Sequence, residues 1–182
     1  MKKKDDKLRD ILLETARALA DEQGIEKLNI RSIANRAGVS GGTVYNYFSG
    51  KDEILLALTK QYWKQALYKM DAAVTADSFC EALLQMYDYL RHEIRQSAGA
   101  LMSSLGGVQR AGKESMASAQ QQLKEMLIRR MEQDTGIRNG IWDDSFTKER
   151  FAEFIRMNFM ELLKAEDARM EFFVVVIRRI LY

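Results

Sequence analysis

The stretch Gly41-Gly42-Thr43-Val44-Tyr45-Asn46-Tyr47-Phe48 gathers hydrogen-bonding and aromatic side chains within a chain otherwise rich in Leu, Ile, Met and Ala. Read as a short helix, it sets Val44 and Phe48, four residues apart, on one face. The opposite face carries Gly42, Thr43 and Asn46, with Tyr45 and Tyr47 at its flanks. A helix with a two-residue apolar anchor and a polar outer face suits insertion into the major groove of duplex DNA, where such groups meet base edges and phosphates. The glycines leave no side chain between the first turn and the DNA. Backbone N–H groups can then approach a phosphate, with the helix dipole favouring the contact.

Other chemistry has little to work with. His92 and Cys80 are the single histidine and the single cysteine. An internal disulfide is therefore impossible, and Cys80, among Phe79, Leu83 and Leu84, reads as a small core residue. One histidine without Cys or His partners gives no zinc ligand set. There is no paired acid and base, no Ser/His/Asp set, and "GVSGGT" follows a helix rather than the strand a phosphate-binding loop needs. The chain is expected to be no enzyme, with no metal site and no cofactor.

The elements that must position residues 41–48 are legible. Leu8, Ile11, Leu12, Ala16 and Leu19 form one stripe of a helix from Asp5 to Glu22, with Gly24 as its stop. A second helix opens on Asn29 as N-cap and carries Ile30, Ile33, Ala34 and Ala37 inward. Gly38 ends it and Ser40 caps the third. Two short helices joined by a glycine-containing turn of about three residues make a helix-turn-helix. A fourth helix starts near Lys51, with Asp52 and Glu53 in its dipole-favoured first turn, and runs to about Met70. "DAAVTADS" (71–78) breaks the chain.

Beyond the break the periodicity is helical throughout. Helices are expected over 78–97, 98–105, 113–134, from a Ser145 cap to Lys164, and from about 170 to Tyr182, with 134–145 as the longest loop. "FAEFIRMNFMELL" and "MEFFVVVIRRIL" are apolar on more than one face, which calls for a partner subunit or a central place in the core. The run "FFVVVI" (172–177) is far short of the ~20 apolar residues of a membrane span. The opening "MKKKDDK" leads into no apolar leader, so no membrane association and a cytoplasmic location are expected. Residues 1–75 carry 13 basic against 10 acidic residues, a net of +3; the remainder carries 15 against 16, a net of −1. That asymmetry is small but has the sign of a DNA-binding N-terminus.

Residues 30–58, "IRSIANRAGVSGGTVYNYFSGKDEILLAL", preceded by "LLETARALADEQGIEKLNI", resemble the TetR family of transcriptional regulators. The resemblance covers about fifty residues; the rest matches only in being helical and of suitable length. It implies an all-α fold with three parts: a helix-turn-helix head over 1–50, a connecting helix over 51–75, and a helical ligand-binding and dimerisation domain over 76–182. It further implies a homodimer on a palindromic double-stranded operator, a small-molecule effector, and dimerisation through the last two helices. The family's DNA contacts carry over to Asn29, Arg31, Gly42, Thr43, Tyr45, Asn46, Tyr47 and Lys51. Asn29 departs from the usual threonine but can still cap, and Gly41 stands where many relatives carry a longer side chain.

Chemistry then suggests roles. Thr43 and Tyr47 offer hydroxyls, and Lys51 a charge, to phosphates. Asn46 can pair with adenine N6/N7. Tyr45 either packs on a thymine methyl or supports Val44 as a half-buried ring. Trp63, Leu67, Met86, Tyr87, Leu90, Met102, Met116 and Met126 are the expected lining of a largely apolar effector pocket, although methionines are equally ordinary core filling. Phe154, Met157, Phe173, Val176, Ile177 and Ile180 are the expected dimer interface. The leading expectation is a ligand-responsive repressor; the alternative is an adaptor of the same fold that binds DNA and a protein partner without an inducer.

Overall fold

The computed structural model describes residues 6–95, 109–165 and 169–182, residues 109–115 by their backbone. The helix expected over 98–105, and with it Met102, lies outside the described residues. Among the described residues the regular structure is helical: α1 (Asp6–Gln23), a 3-10 turn (Ile25–Lys27), α2 (Ile30–Ala37), α3 (Gly41–Tyr45), α4 (Lys51–Ala73), α5 (Phe79–Glu93), α6 (Gln109–Gln133), α7 (Lys148–Lys164) and α8 (Met170–Leu181). The chain divides into two compact units, and the division falls inside α4, between Trp63 and Lys64.

The first unit is the head. Leu12, Leu13, Ala16 and Leu19 of α1 pack with Leu28, with Ile33 and Ala34 of α2, with Val44 and Phe48, and with Ile54, Leu55 and Leu58 of α4. Gly24 closes α1 at φ +86, a backbone region that side chains disfavour, and its N–H donates to Ala20 O at 3.0 Å. Asn29 starts α2 with a reciprocal cap: its Oδ1 accepts from Ser32 N–H at 2.9 Å, and Ser32 Oγ accepts from Asn29 N–H at 3.3 Å. Gly38 ends α2 in the left-handed conformation at φ 69, and Val39 N–H folds back onto Ala34 O at 3.0 Å. The 3-10 turn has no counterpart in the sequence reading, because three residues hold no apolar period.

The second unit is built on α5, whose Phe79, Cys80, Leu83, Met86, Tyr87 and Leu90 are buried and which packs against α7 and α8. Ser78 caps α5, accepting from Glu81 N–H at 3.3 Å. The α7 cap is Thr147, whose Oγ1 accepts from Arg150 N–H at 3.2 Å, and not Ser145 as the sequence suggested. Ser145 is instead held in an Asx turn, its N–H and hydroxyl both donating to Asp143 Oδ1 at 2.7 and 2.6 Å. At the far end of the unit, the buried Asp134 carboxylate accepts from Phe79 N–H at 2.7 Å, from Gly136 N–H at 2.8 Å and from the Tyr182 hydroxyl. Arg138 covers the C-terminal carbonyls of α8, donating to Leu181 O at 2.9 Å through its backbone N–H and to Ile180 O at 2.6 Å through its guanidinium.

Candidate nucleic-acid interface

The expected partition of α3 is present. Val44 and Phe48 are buried in the head core, and Gly42, Tyr45 and Asn46 are exposed. Ser40 Oγ accepts from Thr43 N–H at 3.1 Å and lies 2.9 Å from Thr43 Oγ1. The Thr43 hydroxyl is therefore held within its own turn. Tyr45 is 59% exposed, which removes the reading in which it supports Val44 from a half-buried position. Tyr47 packs partly against the head core.

The glycines are informative because the fold does not require them. A Cβ on Gly41 would meet nothing within 4 Å, and one on Gly42 would meet only Ser40 Oγ at 3.7 Å, ordinary contact. Neither residue has a positive φ. Glycine in a helix loses roughly 0.5–1 kcal/mol against alanine. Neither glycine relieves a clash or a strained backbone within the head, and together they leave the first turn of α3 without side chains.

Asn29 is exposed but committed at both ends of its amide: the oxygen caps Ser32 and the nitrogen donates to Lys27 O at 3.0 Å. Arg31 follows in the first turn of α2 and is exposed. Lys51 is half-buried, and its ammonium donates to Glu26 O at 3.0 Å. That bond uses one of the three N–H groups of the ammonium. Nearby, Glu53 accepts from Ser49 N–H at 2.7 Å across the start of α4. Arg36 pairs with Glu22 and so ties the end of α2 to α1; the hydrogen bond from Arg36 lowers the Glu22 carboxyl. As an exposed pair it contributes little to stability.

The expected pocket residues are core residues in this structure. Trp63, in the first unit, is buried; so are Leu67, Met86, Tyr87, Leu90 and Met126 in the second, while Met116 is half-buried. The Tyr87 hydroxyl donates to Leu162 O at 3.2 Å and accepts from Arg91 at 2.5 Å, and its ring stands edge-on to Phe159 at 5.8 Å. Two cavities described in the second unit lie elsewhere. One, of about 530 Å³, is lined by Thr75, Ser78, Phe79, Arg130, Gln133 and Asp134 among others. The other, of about 400 Å³, shares Arg130 and Gln133 and adds Tyr68, Asp71 and Arg129. Both are polar; Arg130 is already held by Asp71 Oδ1 at 3.1 Å and Asp71 O at 2.9 Å.

The expected interface set separates into two groups. Phe154 and Met157 on α7 are 45% and 56% exposed, and Phe173, Val176 and Ile180 on α8 are half-buried. Phe154 and Phe173 approach ring to ring at 6.2 Å. Ile177 does not belong with them. It is buried with Met170, Val174 and Leu181, the i, i+4, i+7, i+11 stripe that α8 turns into its own unit. Within "FFVVVI" every position is apolar, so the phase of the helix is set by Met170 and Leu181 outside the run. Phe172 and Val175, outside the expected interface set, are 76% and 45% exposed on α8.

Residues 12–58 match the family model described as bacterial regulatory proteins, tetR family. The fatty acid metabolism regulator protein of Bacillus subtilis is 35% identical over 71 residues, covering 39% of this chain and 36% of that protein. The HTH-type transcriptional repressor KstR2 of Mycobacterium tuberculosis is 35% identical over 60 residues, covering 32% and 30%. The chain thus spans about a third of the length of these two relatives. Among solved structures, the TetR-family transcriptional repressor QsdR of R. erythropolis superposes with a TM-score of 0.62 over 98% of this chain and 96% of its own, at 16% identity, a likeness of fold. Residues 12–58 thus match the TetR family's model, and nearly the whole chain shares the fold of a TetR-family repressor.

Proposed function

We propose that this DNA-binding regulator is a ligand-responsive repressor that acts in the cytoplasm and holds a palindromic operator as a homodimer, with no membrane partner. The observation that carries the reading is the face partition of α3, which is anchored in the head core by Val44 and Phe48 and exposes Gly42, Tyr45 and Asn46. In this reading Asn29, Arg31, Thr43, Tyr47 and Lys51 hold phosphates, Gly42 lets the backbone approach, and Asn46 and Tyr45 meet base edges.

The exposed apolar surface of Phe154, Met157, Phe172 and Val175 supports the homodimer, since solvent-facing clusters of this kind mark interaction sites. A largely apolar effector fits the apolar residues expected to receive it and relatives named for fatty acid metabolism and its degradation. It shifts occupancy of the operator only by binding the two states with different affinity. The test is selection of genomic duplex fragments by the purified full chain. A near-palindromic sequence with half-site centres ~34–36 Å apart, or a multiple of that, is expected. Recovery of fragments without a common site contradicts the reading.

A further inference from the structure

Arg9 on α1 lays its guanidinium over the ring of Phe48, with Cζ 5.3 Å from the ring centroid. A cation over an aromatic face is attracted by the ring quadrupole, and the flat guanidinium stacks well on it. Phe48 is 1% exposed and belongs to the head core, whereas Arg9 is half-buried. The guanidinium is therefore the outer layer over an inner ring.

Asp6 stands three residues earlier on α1, at the spacing of a helical ion pair, yet the guanidinium turns to the ring. Among the described residues no carboxylate or carbonyl accepts from it. A fork of five N–H donors is thus oriented by stacking and left without a protein acceptor. Its place in the head gives that fork a use. Phe48 lies in the chain between Tyr47 and Lys51, both assigned to phosphates in the reading above. A guanidinium fork matches two oxygens of one phosphate, which a lysine ammonium does not.

We propose that Arg9 binds a backbone phosphate of duplex DNA, with the Phe48 ring as the platform that holds its guanidinium in place. The contact comes from α1, outside the two helices of the helix-turn-helix. The inference rests on the phosphate contacts of that reading, and on neither its dimer nor its effector. A phosphate contact reads no base, so Arg9 adds affinity for every duplex and no sequence preference.

The experiment measures binding of the full chain to a random-sequence duplex across a range of salt concentrations. Arg9→Gln should lower affinity about tenfold at about 0.1 M salt and flatten the slope of log K against log salt by ~0.9 for each bound head. Arg9→Lys keeps the charge and should keep most of the slope. An unchanged slope in Arg9→Gln, whether or not the melting temperature falls, overturns the proposal and leaves Arg9 as a cover for Phe48. Equal flattening by Arg9→Lys means a distorted head rather than a lost phosphate charge, and also overturns it. The unsubstituted chain gives an independent reading: labelled with 15N, its Arg9 Nε–H resonance, assigned with Arg9→Lys, should shift when duplex is added. An unmoved resonance overturns the proposal. Lys51→Ala separates the two levels. A slope flattened by Lys51→Ala but not by Arg9→Gln removes Arg9 alone, and a slope flattened by neither removes the phosphate contacts of the reading as well.

Discussion

The Lys51 ammonium donates a hydrogen bond to the carbonyl oxygen of Glu26 at 3.0 Å, joining the first turn of α4 to the 3-10 turn just ahead of the Asn29 cap. Lys51 thus fastens the start of α4 to the segment that opens α2, while still presenting charge. Lys51→Ala should remove both effects. Affinity should fall similarly for all duplexes, and the slope of log K against log salt should flatten by about one unit. Loss of the bond to Glu26 should lower the stability of the head by about 1 kcal/mol. Salt titrations and thermal unfolding measure the two parts; a lower melting temperature with an unchanged slope would show a structural strap with no phosphate contact.

Asn46 is exposed at the C-terminal end of α3, its own backbone N–H already satisfied by Gly42 O and Thr43 O at 3.2 Å. Its amide is free of a helix-capping duty, unlike that of Asn29. Asn46→Ala should lose ~1–3 kcal/mol at one base position and relax specificity there, with little effect on random duplex. Binding measured across a set of single-base operator variants decides this. A uniform loss across the set would remove Asn46 from the base-reading role.

Neighbouring residues on α8 should separate folding from assembly. Ile177 is buried within its own unit, so Ile177→Ala should cost ~2–5 kcal/mol of fold stability. Val176 lies toward the outer side, and Val176→Asp places a like charge on each copy at a two-fold contact. It should dissociate the dimer while leaving the helical content of each chain. Sedimentation and circular dichroism of the two variants give the comparison. Equal mass for Val176→Asp and the native chain would move the interface elsewhere.

The Asp134 node should give the second unit a defined acid sensitivity. Burial raises the Asp134 carboxyl, but hydrogen bonds from Phe79 N–H, the Tyr182 hydroxyl and Gly136 N–H outweigh it and hold the group below its ordinary value. A depressed folded value contributes stability above the unfolded value of ~3.9, and that contribution is lost as pH falls through the folded value. Asp134→Asn should therefore be less stable than the native chain at neutral pH, by about 1–2 kcal/mol, with the gap closing below about pH 4. Urea unfolding at several pH values measures the gap; a gap independent of pH would mean the charge contributes nothing.

The head was the most legible part of the chain. Asn29, Gly38, Ser40, Val44 and Phe48 each act through local rules of capping, left-handed backbone or helical spacing, and the structure places each where those rules require. The 3-10 turn was not legible because three residues hold no apolar period, and the Lys51–Glu26 bond because it joins residues 25 apart with no periodic mark. In the second unit the helices could be read, but not the inward phase of α8, because Phe172 through Ile177 are apolar at every position. Nor could the Asp134 node be read, which brings together Phe79, Gly136 and Tyr182 from three distant segments.

Two α3 helices reading one palindrome are the core of the proposed function, and the mass of the complex tests that most directly. Sedimentation of the purified protein with its selected duplex, at micromolar concentration, should show two chains of 21.0 kDa bound per palindromic site. The free protein should sediment at twice the chain mass as well. A free 21.0 kDa monomer that held the full palindrome as one chain, with undiminished affinity, would contradict both the dimer and the mode of reading built on it.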